Sequence, residues 1–327
     1  MASIRKRGNS WQVRVNRRGF PAEVQSFANK IDADRWARST ESEMDKGRYV
    51  SRTKAERVTL AEVIDRYIAE VSPTKRGGCE EIIRLNATKR YRIANLTMAA
   101  LTPQAMGQYR DERLKTCKAN TVLRDLGMLS SLINHCRREW GIAITNPVNE
   151  IRKPSMPPGR DRVLSAEEEL RLLTALKPTG RRNPYMLPLV TIALETAMRR
   201  GELMGLMWAN VDLGKQIAVL PITKNGEPRV VPLSKSAVET LRSMPRSIDG
   251  RVFPIAAAAL EASFHRARLR AGLPDVHFHD LRHTATTRLA EKLTNILELG
   301  AVTGHKQLAM LRRYYHPRAE DLAKKLG

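Results

Sequence analysis

Apolar positions follow two periods along this chain, and the change from one to the other marks its parts. Near the start, Trp11, Val13 and Val15 alternate with Gln12 and Arg14, the period of a half-buried strand, and the Arg-Arg-Gly that follows supplies a turn. AEVQSFANK is a second short segment of this kind, and KIDADRWARSTESEMDKG after it is amphipathic at a helical period. Residues 1–52 are thus predicted to form two or three strands and one helix.

The polar link RYVSRTKAERV leads into helical spacing. Thr59 opens a helix with a capping box to Glu62, and Leu60, Val63, Ile64, Tyr67, Ile68 and Val71 recur on one face. Further helices are predicted over 79–94, from Thr102-Pro103 onward, and over 120–140, which makes a four-helix basic domain spanning 57–145. Residues 146–164 carry four prolines and several arginines, cannot continue a helix, and read as a basic linker. Ser165 then caps a helix with Glu168 and opens a larger, mostly helical domain over 165–327. One β-like patch interrupts it, KQIAVLPITKNGEPRVVPLS, where Asn225-Gly226 signals a hairpin turn. The expected fold is multidomain and mainly α: a small N-terminal β-sheet with a helix, a helical domain, and a mixed domain with a small antiparallel sheet.

Charge narrows the partners. The chain has 57 Lys+Arg against 34 Asp+Glu, a net +23 spread along its whole length, and the natural partner is a polyanion. No apolar run approaches the ~20 residues of a spanning helix; IAAAAL is the most apolar stretch. The basic start, MASIRKRGNSWQV, has no apolar core after it and is not a secretory signal. Cys79, Cys117 and Cys136 form neither a disulfide framework nor a zinc pattern, and read as reduced packing residues of a cytoplasmic, bacterial, nucleoid-associated protein.

Four segments of the last domain hold candidate chemistry: ETAMRRGELMGLMW, PITKNGEPRVVPL, HFHDLRHTATTRLA and VTGHKQLAMLRRYYHP. Singly, each has a plain structural meaning: a solvated helix arginine, a turn lysine, a capping histidine, a tyrosine pair split between core and surface. Their order is more telling. Arg-x-x-Glu, a hairpin Lys, His-x-x-Arg, Gly-His and a Tyr nine residues later resemble the motifs of the tyrosine recombinase family, the phage integrases and their relatives, over about residues 57–320. The resemblance implies a catalytic set of Arg199, Lys224, His279, Arg282, His305 and Tyr314, with Tyr315 as the alternate nucleophile. Thr196-Ala197 stands where the family often has Thr-Gly, so a small residue is kept.

These residue types suit strand transfer. A tyrosine hydroxyl, with a pKa of about 10, needs its proton removed and the phosphate neutralised before it can attack. Arg199 and Arg282 can fork onto the non-bridging oxygens and hold the charge of the five-coordinate transition state. Lys224 is the candidate general acid for the departing 5′-hydroxyl. By resemblance, His279 exchanges a proton with the tyrosine and His305 donates to a phosphate oxygen. Glu202, three residues after Arg199 on the same predicted helix face, is read as an orienting residue. The implied product is a 3′-phosphotyrosyl link that conserves the phosphodiester energy; no ATP loop motif occurs, and neither a metal nor another cofactor is expected.

The resemblance also implies double-stranded DNA gripped by two domains, a helical core-binding (SAM-like) one and the catalytic one, and a homotetramer on DNA assembled from free monomers. Candidate phosphate contacts are Arg84, Lys89, Arg90 and Arg92 in the helical domain and Arg152, Lys153, Arg160 and Arg162 in the linker. Residues 1–52 resemble arm-type DNA-binding domains, which would place Arg14, Arg17 and Arg18 near a groove; a dimerisation tab is the alternative. The last stretch, PRAEDLAKKLG, is expected to form a helix able to pack on a neighbour. GRDRVLSAEEELRLL, ALETAMRRGEL, TKNGEPRVVPLS and HFHDLRHTA also look like the subgroup of shufflon DNA invertases. Integration and excision of a mobile element, aided by an accessory bending or directionality factor, is the expected function, with inversion or resolution next. A type IB topoisomerase and a catalytically silent DNA-binding regulator are the other readings.

Overall fold

The alternation at Trp11, Val13 and Val15 is realised as the middle strand of a three-stranded antiparallel sheet: β1 (Ala2–Arg7), β2 (Ser10–Val15) and β3 (Glu23–Phe27). Val13 pairs with Ile4 on one side and Gln25 on the other. Helix α1 (Lys30–Asp45) is capped by Asn29, whose side chain accepts from the Asp32 amide, and lays Ala33, Ala37 and Met44 against Val13 and Val15. The structure is a computed structural model that describes residues 2–47, 49, 53–157, 159–180, 182–221, 228–293, 295–305, 307–314 and 323. The chain divides into two compact units, Met1–Pro158 and Gly159–Gly327.

The rest of the first unit is helical. The expected polar link contains a short helix, α2 (Thr53–Arg57), followed by α3 (Leu60–Glu70), α4 (Gly78–Thr88), α5 (Pro103–Leu114) and α6 (Ala119–Glu139). The Thr59–Glu62 capping box and the Thr102 cap before Pro103 both form. The helix expected over 79–94 stops at Thr88, whose hydroxyl turns to the Arg84 carbonyl and the Tyr109 hydroxyl. A separate 3₁₀ turn at Arg92–Asn95 then buries Ile93 and Ala94. Ile64, Tyr67, Leu126, Leu129, Leu132 and Ile133 fill the core. At its edge, Asp125, only 2% exposed, takes Arg84 at 3.2 Å and Arg113 at 2.6 Å. Among its described residues the segment after α6 has only a 3₁₀ turn at Pro147–Asn149, in keeping with its prolines.

In the second unit, α7 (Ala166–Leu176), with its Ser165–Glu168 capping box, and α8 (Met186–Thr196) lead to α9 (Arg200–Met204). A sheet follows, in the order β4 (Val211–Asp212), β5 (Ile217–Leu220), β6 (Arg229–Pro232), all antiparallel. The β5–β6 pair is the expected hairpin and β4 is an added third strand; Lys224 and the Asn225-Gly226 turn lie outside the described residues. Helices α10 (Lys235–Arg242), α11 (Ala257–Arg270), α12 (Phe278–Lys292), α13 (Ile296–Thr303) and α14 (Leu308–Leu311) complete the unit. Helix α8, almost wholly apolar, packs against α7, α10 and α12 and forms the centre of the core. No helix among the described residues is long and apolar enough to cross a membrane.

Candidate active site

The site begins where α8 ends. Ala197 adopts the left-handed conformation (φ 53°, ψ 21°), so the chain leaves the helix there and Arg199 is extended, at the cap of α9. Arg199 and Glu202 therefore do not share a helix face as the sequence suggested; a capping arrangement joins them. The carboxylate accepts the Arg199 backbone N–H at 2.8 Å and its Nη1 at 2.9 Å. It also accepts Nη2 of Arg229, the first residue of β6, at 2.8 Å. One carboxylate, 5% exposed, thus holds two guanidiniums.

Helix α12 supplies the next groups. Its period places His279, Arg282 and His283 on one face. Arg282 is 5% exposed and donates to the carbonyls of Ala197 and Thr303, and to His305 Nε2 at 3.3 Å. Burial first, then the charges of Arg199 and Arg229, pull its pKa down to about 9, which still leaves a full cation at neutral pH. Arg229 is pulled down in the same way, by burial and then by Arg199, against the pull of Glu202. Three guanidiniums and one carboxylate form a cluster that favours an anion. Among the described residues, Arg229 Nε and Nη1 are buried without a hydrogen-bond partner.

The C-terminal end of α13 closes the cluster. Gly304 is left-handed (φ 70°), and its carbonyl accepts Arg199 Nη2 at 3.1 Å. A Cβ at this position would overlap Arg229 Nη1 and lie 2.9 Å from its Cζ, so glycine suits both the turn and the passage of Arg229. His305 follows, with Nδ1 at 2.7 Å from the Thr303 hydroxyl, which itself donates to the Leu299 carbonyl. Arg282 can only donate, so Nε2 of His305 is the acceptor and Nδ1 carries the hydrogen. Burial first, then Arg282, Arg199 and Arg229, lower the His305 pKa to about 3. Donation from Nε2 to a phosphate would require that nitrogen to gain a proton, which an arriving anion favours.

Tyr314 follows α14, packed against the small cluster of Ala290, Leu299 and Leu311, with its ring 6.4 Å from the His305 ring. Its hydroxyl is hydrogen-bonded to Nδ1 of His283. Burial raises its pKa, opposed by Arg313 and Arg282. His279 is exposed, and its ring stands edge-on to His283 at 5.1 Å. The structure thus gathers Arg199, Glu202, Arg282, His305 and Tyr314, with His279 at the margin. Arg229 and His283 join them unannounced; adjacency to Arg282 and one helical turn from His279 was the signal for His283. Lys224, Tyr315 and the stretch 317–327, apart from residue 323, lie outside the described residues.

The linker arginines are engaged within the second unit. Arg160 pairs with the buried Asp280 at 2.8 Å, and Arg162 with Glu168 and, at 3.0 Å, with Asp275. In the first unit Arg84 holds Asp125, Lys89 pairs with Asp65 and Arg17 with Asp45, while Arg14, Arg18, Arg90, Arg92, Arg152 and Lys153 are exposed.

Arg282 contacts His305, Arg199 contacts the Gly304 carbonyl just before it, and the Tyr314 ring lies 6.4 Å from the His305 ring; the class of enzyme follows from comparison with known proteins. Residues 162–321 match the phage integrase family. The chain is 41% identical to the shufflon-specific DNA recombinase of Escherichia coli, over 83% of this chain and 72% of that one. It is 35% identical to a Haemophilus influenzae protein provisionally named an integrase/recombinase, over 99% and 88%. Lambda integrase, solved as a dimer on a core site and as a tetramer on a Holliday junction, shares the fold with a TM-score of 0.67 and 20% identity, over 97% and 95%. The chain belongs to the tyrosine recombinase, or phage integrase, family and is a site-specific recombinase that cleaves and rejoins DNA.

Proposed function

We propose that the protein integrates and excises a mobile element, cutting each strand with Tyr314 and holding it as a 3′-phosphotyrosyl link. The observation that supports the chemistry is the Tyr314 ring lying 6.4 Å from the ring of His305, which Arg282 contacts, with Arg199 fixed by Glu202 and Gly304. In this mechanism Arg199 and Arg282 exchange their carbonyl partners for the non-bridging oxygens and neutralise the transition state. His305, protonated on Nε2 once the phosphate is bound, adds a third contact. The P–O5′ bond breaks, and the 5′-oxygen takes a proton from a general acid, for which Lys224 is our candidate. The free 5′-hydroxyl later reverses the step on the partner strand, so no external energy is consumed.

Residues 1–52 are assigned to arm sites, 57–145 to the core site, 146–164 to the linker and 165–327 to catalysis, with a tetramer formed on double-stranded DNA. Integration is supported by the near full-length match to the Haemophilus protein, which takes in the N-terminal sheet unit. Inversion is the second reading, favoured by the 41% identity to the shufflon recombinase. A plasmid assay separates them: the two junctions flanking the gene in its native genome are cloned in direct and in inverted orientation. Integration and excision predict a circle from the direct pair with wild type and none with Tyr314→Phe. Recombination of inverted pairs alone would replace that conclusion with inversion.

A further inference from the structure

We propose that His283 takes the proton of Tyr314 as the tyrosine oxygen attacks phosphorus, the task the sequence pattern gives to His279. The inference rests on Tyr314 being the nucleophile. Three features of the geometry carry it. The Tyr314 hydroxyl is hydrogen-bonded to His283 Nδ1, with the two rings 29° from parallel and their centroids 5.8 Å apart. Both rings are held: His283 is 9% exposed within α12, and Tyr314 packs against the cluster of Ala290, Leu299 and Leu311. His279, one helical turn earlier, is exposed and meets the edge of His283.

The electrostatics fit an acceptor. The groups acting on His283 are His279, Asp280 and Arg282 of its own helix, Arg313 and Tyr314 after α14, and His305 after α13; Asp161 bears on Tyr314. Burial first, then His279, Arg313 and Arg282, lower the His283 pKa to about 4, with Asp280 opposing, so the ring is neutral at neutral pH, and the tautomer with its hydrogen on Nε2 presents Nδ1 to the Tyr314 hydroxyl as an acceptor. A hydroxyl whose pKa is raised by burial, facing an imidazole lowered to about 4, keeps its proton in the free protein. Transfer becomes favourable as the Oη–P bond forms and the phosphate charge arrives beside the ring. In that step the proton moves from Oη to Nδ1, the Oη–P bond forms, the P–O5′ bond breaks, and the 5′-oxygen is protonated by the separate general acid. The imidazolium returns its proton to Oη when the 5′-hydroxyl attacks back.

The test measures single-turnover cleavage of nicked suicide DNA from the sequences flanking the gene. Two substrates are used, an all-oxygen one and one with a 5′-bridging phosphorothiolate, whose thiolate leaves without an acid. His283→Gln should cleave roughly 100- to 10,000-fold more slowly than wild type, equally on both substrates, with a flattened pH–rate profile and unchanged DNA affinity. Lys224→Ala should be largely relieved by the thiolate. His279→Gln should lose at least tenfold less than His283→Gln. His283→Asn stands in if the glutamine variant melts early. A His283→Gln rate within threefold of wild type, or a deficit relieved by the thiolate, would overturn the assignment while leaving Tyr314 as nucleophile. An adduct that forms with Tyr314→Phe would overturn both.

Discussion

Gly304→Ala tests the packing of the site most sharply, because two costs converge on one methyl group. The first is conformational: an L-residue at φ 70° costs about 1–2 kcal/mol. The second is steric: the new Cβ would overlap Arg229 Nη1 and lie 2.9 Å from Cζ and 3.1 Å from Cδ. Arg229 is 9% exposed and pairs with a Glu202 that is 5% exposed, so it has no solvent to swing into, and displacing it breaks a buried ion pair. That costs about 3–5 kcal/mol. Gly304→Ala should therefore destabilise the second unit by about 4–7 kcal/mol, against about 1–2 kcal/mol in an Arg229→Ala background where the clash is gone. The assay is a double-mutant cycle by guanidinium denaturation of the full-length protein, following the transition that shifts. A coupling of about 3–5 kcal/mol is expected; additivity within about 0.5 kcal/mol would refute the packing account.

Ala197→Gly should stabilise, by up to about 1 kcal/mol, since relief of the left-handed strain outweighs the entropy that glycine adds to the unfolded chain; a lower denaturation midpoint would contradict this. Asp125→Ala should cost the helical part of the first unit about 3–5 kcal/mol, because Arg84 and Arg113 lose their shared buried carboxylate; circular dichroism melts report it. The pH dependence follows from His283 and His305, whose pKa values lie near 4 and 3, below the ordinary 6.5. The unfolded chain binds those protons as pH falls below 6.5 while the native protein does not, so stability is lost on acidification. Between pH 6.5 and 5, where carboxylates stay ionised, the slope approaches about 1.4 kcal/mol per pH unit for each histidine. His305→Gln should make that limb shallower in denaturant midpoints measured across the window.

Much of this molecule is readable from local rules, and the exceptions share a cause. The Thr59, Thr102 and Ser165 caps, the Val13 and Val15 alternation and the β5–β6 pairing need only neighbours in sequence, and each forms. Arg199 was placed inside a helix because nothing local shows that Ala197 turns left-handed; the buried core around α8 and the Arg282 contact to the Ala197 carbonyl hold it there. Arg229 looks like an outward strand residue in RVVPL. Its burial depends on a glycine and a glutamate brought to it by other elements. His283 follows Arg282 directly and shares a face with His279, so the helical period admits both, and only the position of the Tyr314 ring distinguishes them. The Tyr314–Tyr315 doublet was ordered by its spacing from His305, and the structure describes only the first of the pair.

The central claim is that Tyr314 makes the covalent bond to DNA. The direct measurement incubates nicked suicide DNA from the native flanking sequence with wild type, Tyr314→Phe and Tyr315→Phe, without added metal or ATP, and resolves the products on a denaturing gel. A protein–DNA adduct with wild type and Tyr315→Phe but not with Tyr314→Phe is the predicted result. An adduct retained by Tyr314→Phe and lost in Tyr315→Phe, or DNA bound by all three with no adduct from any, would contradict it.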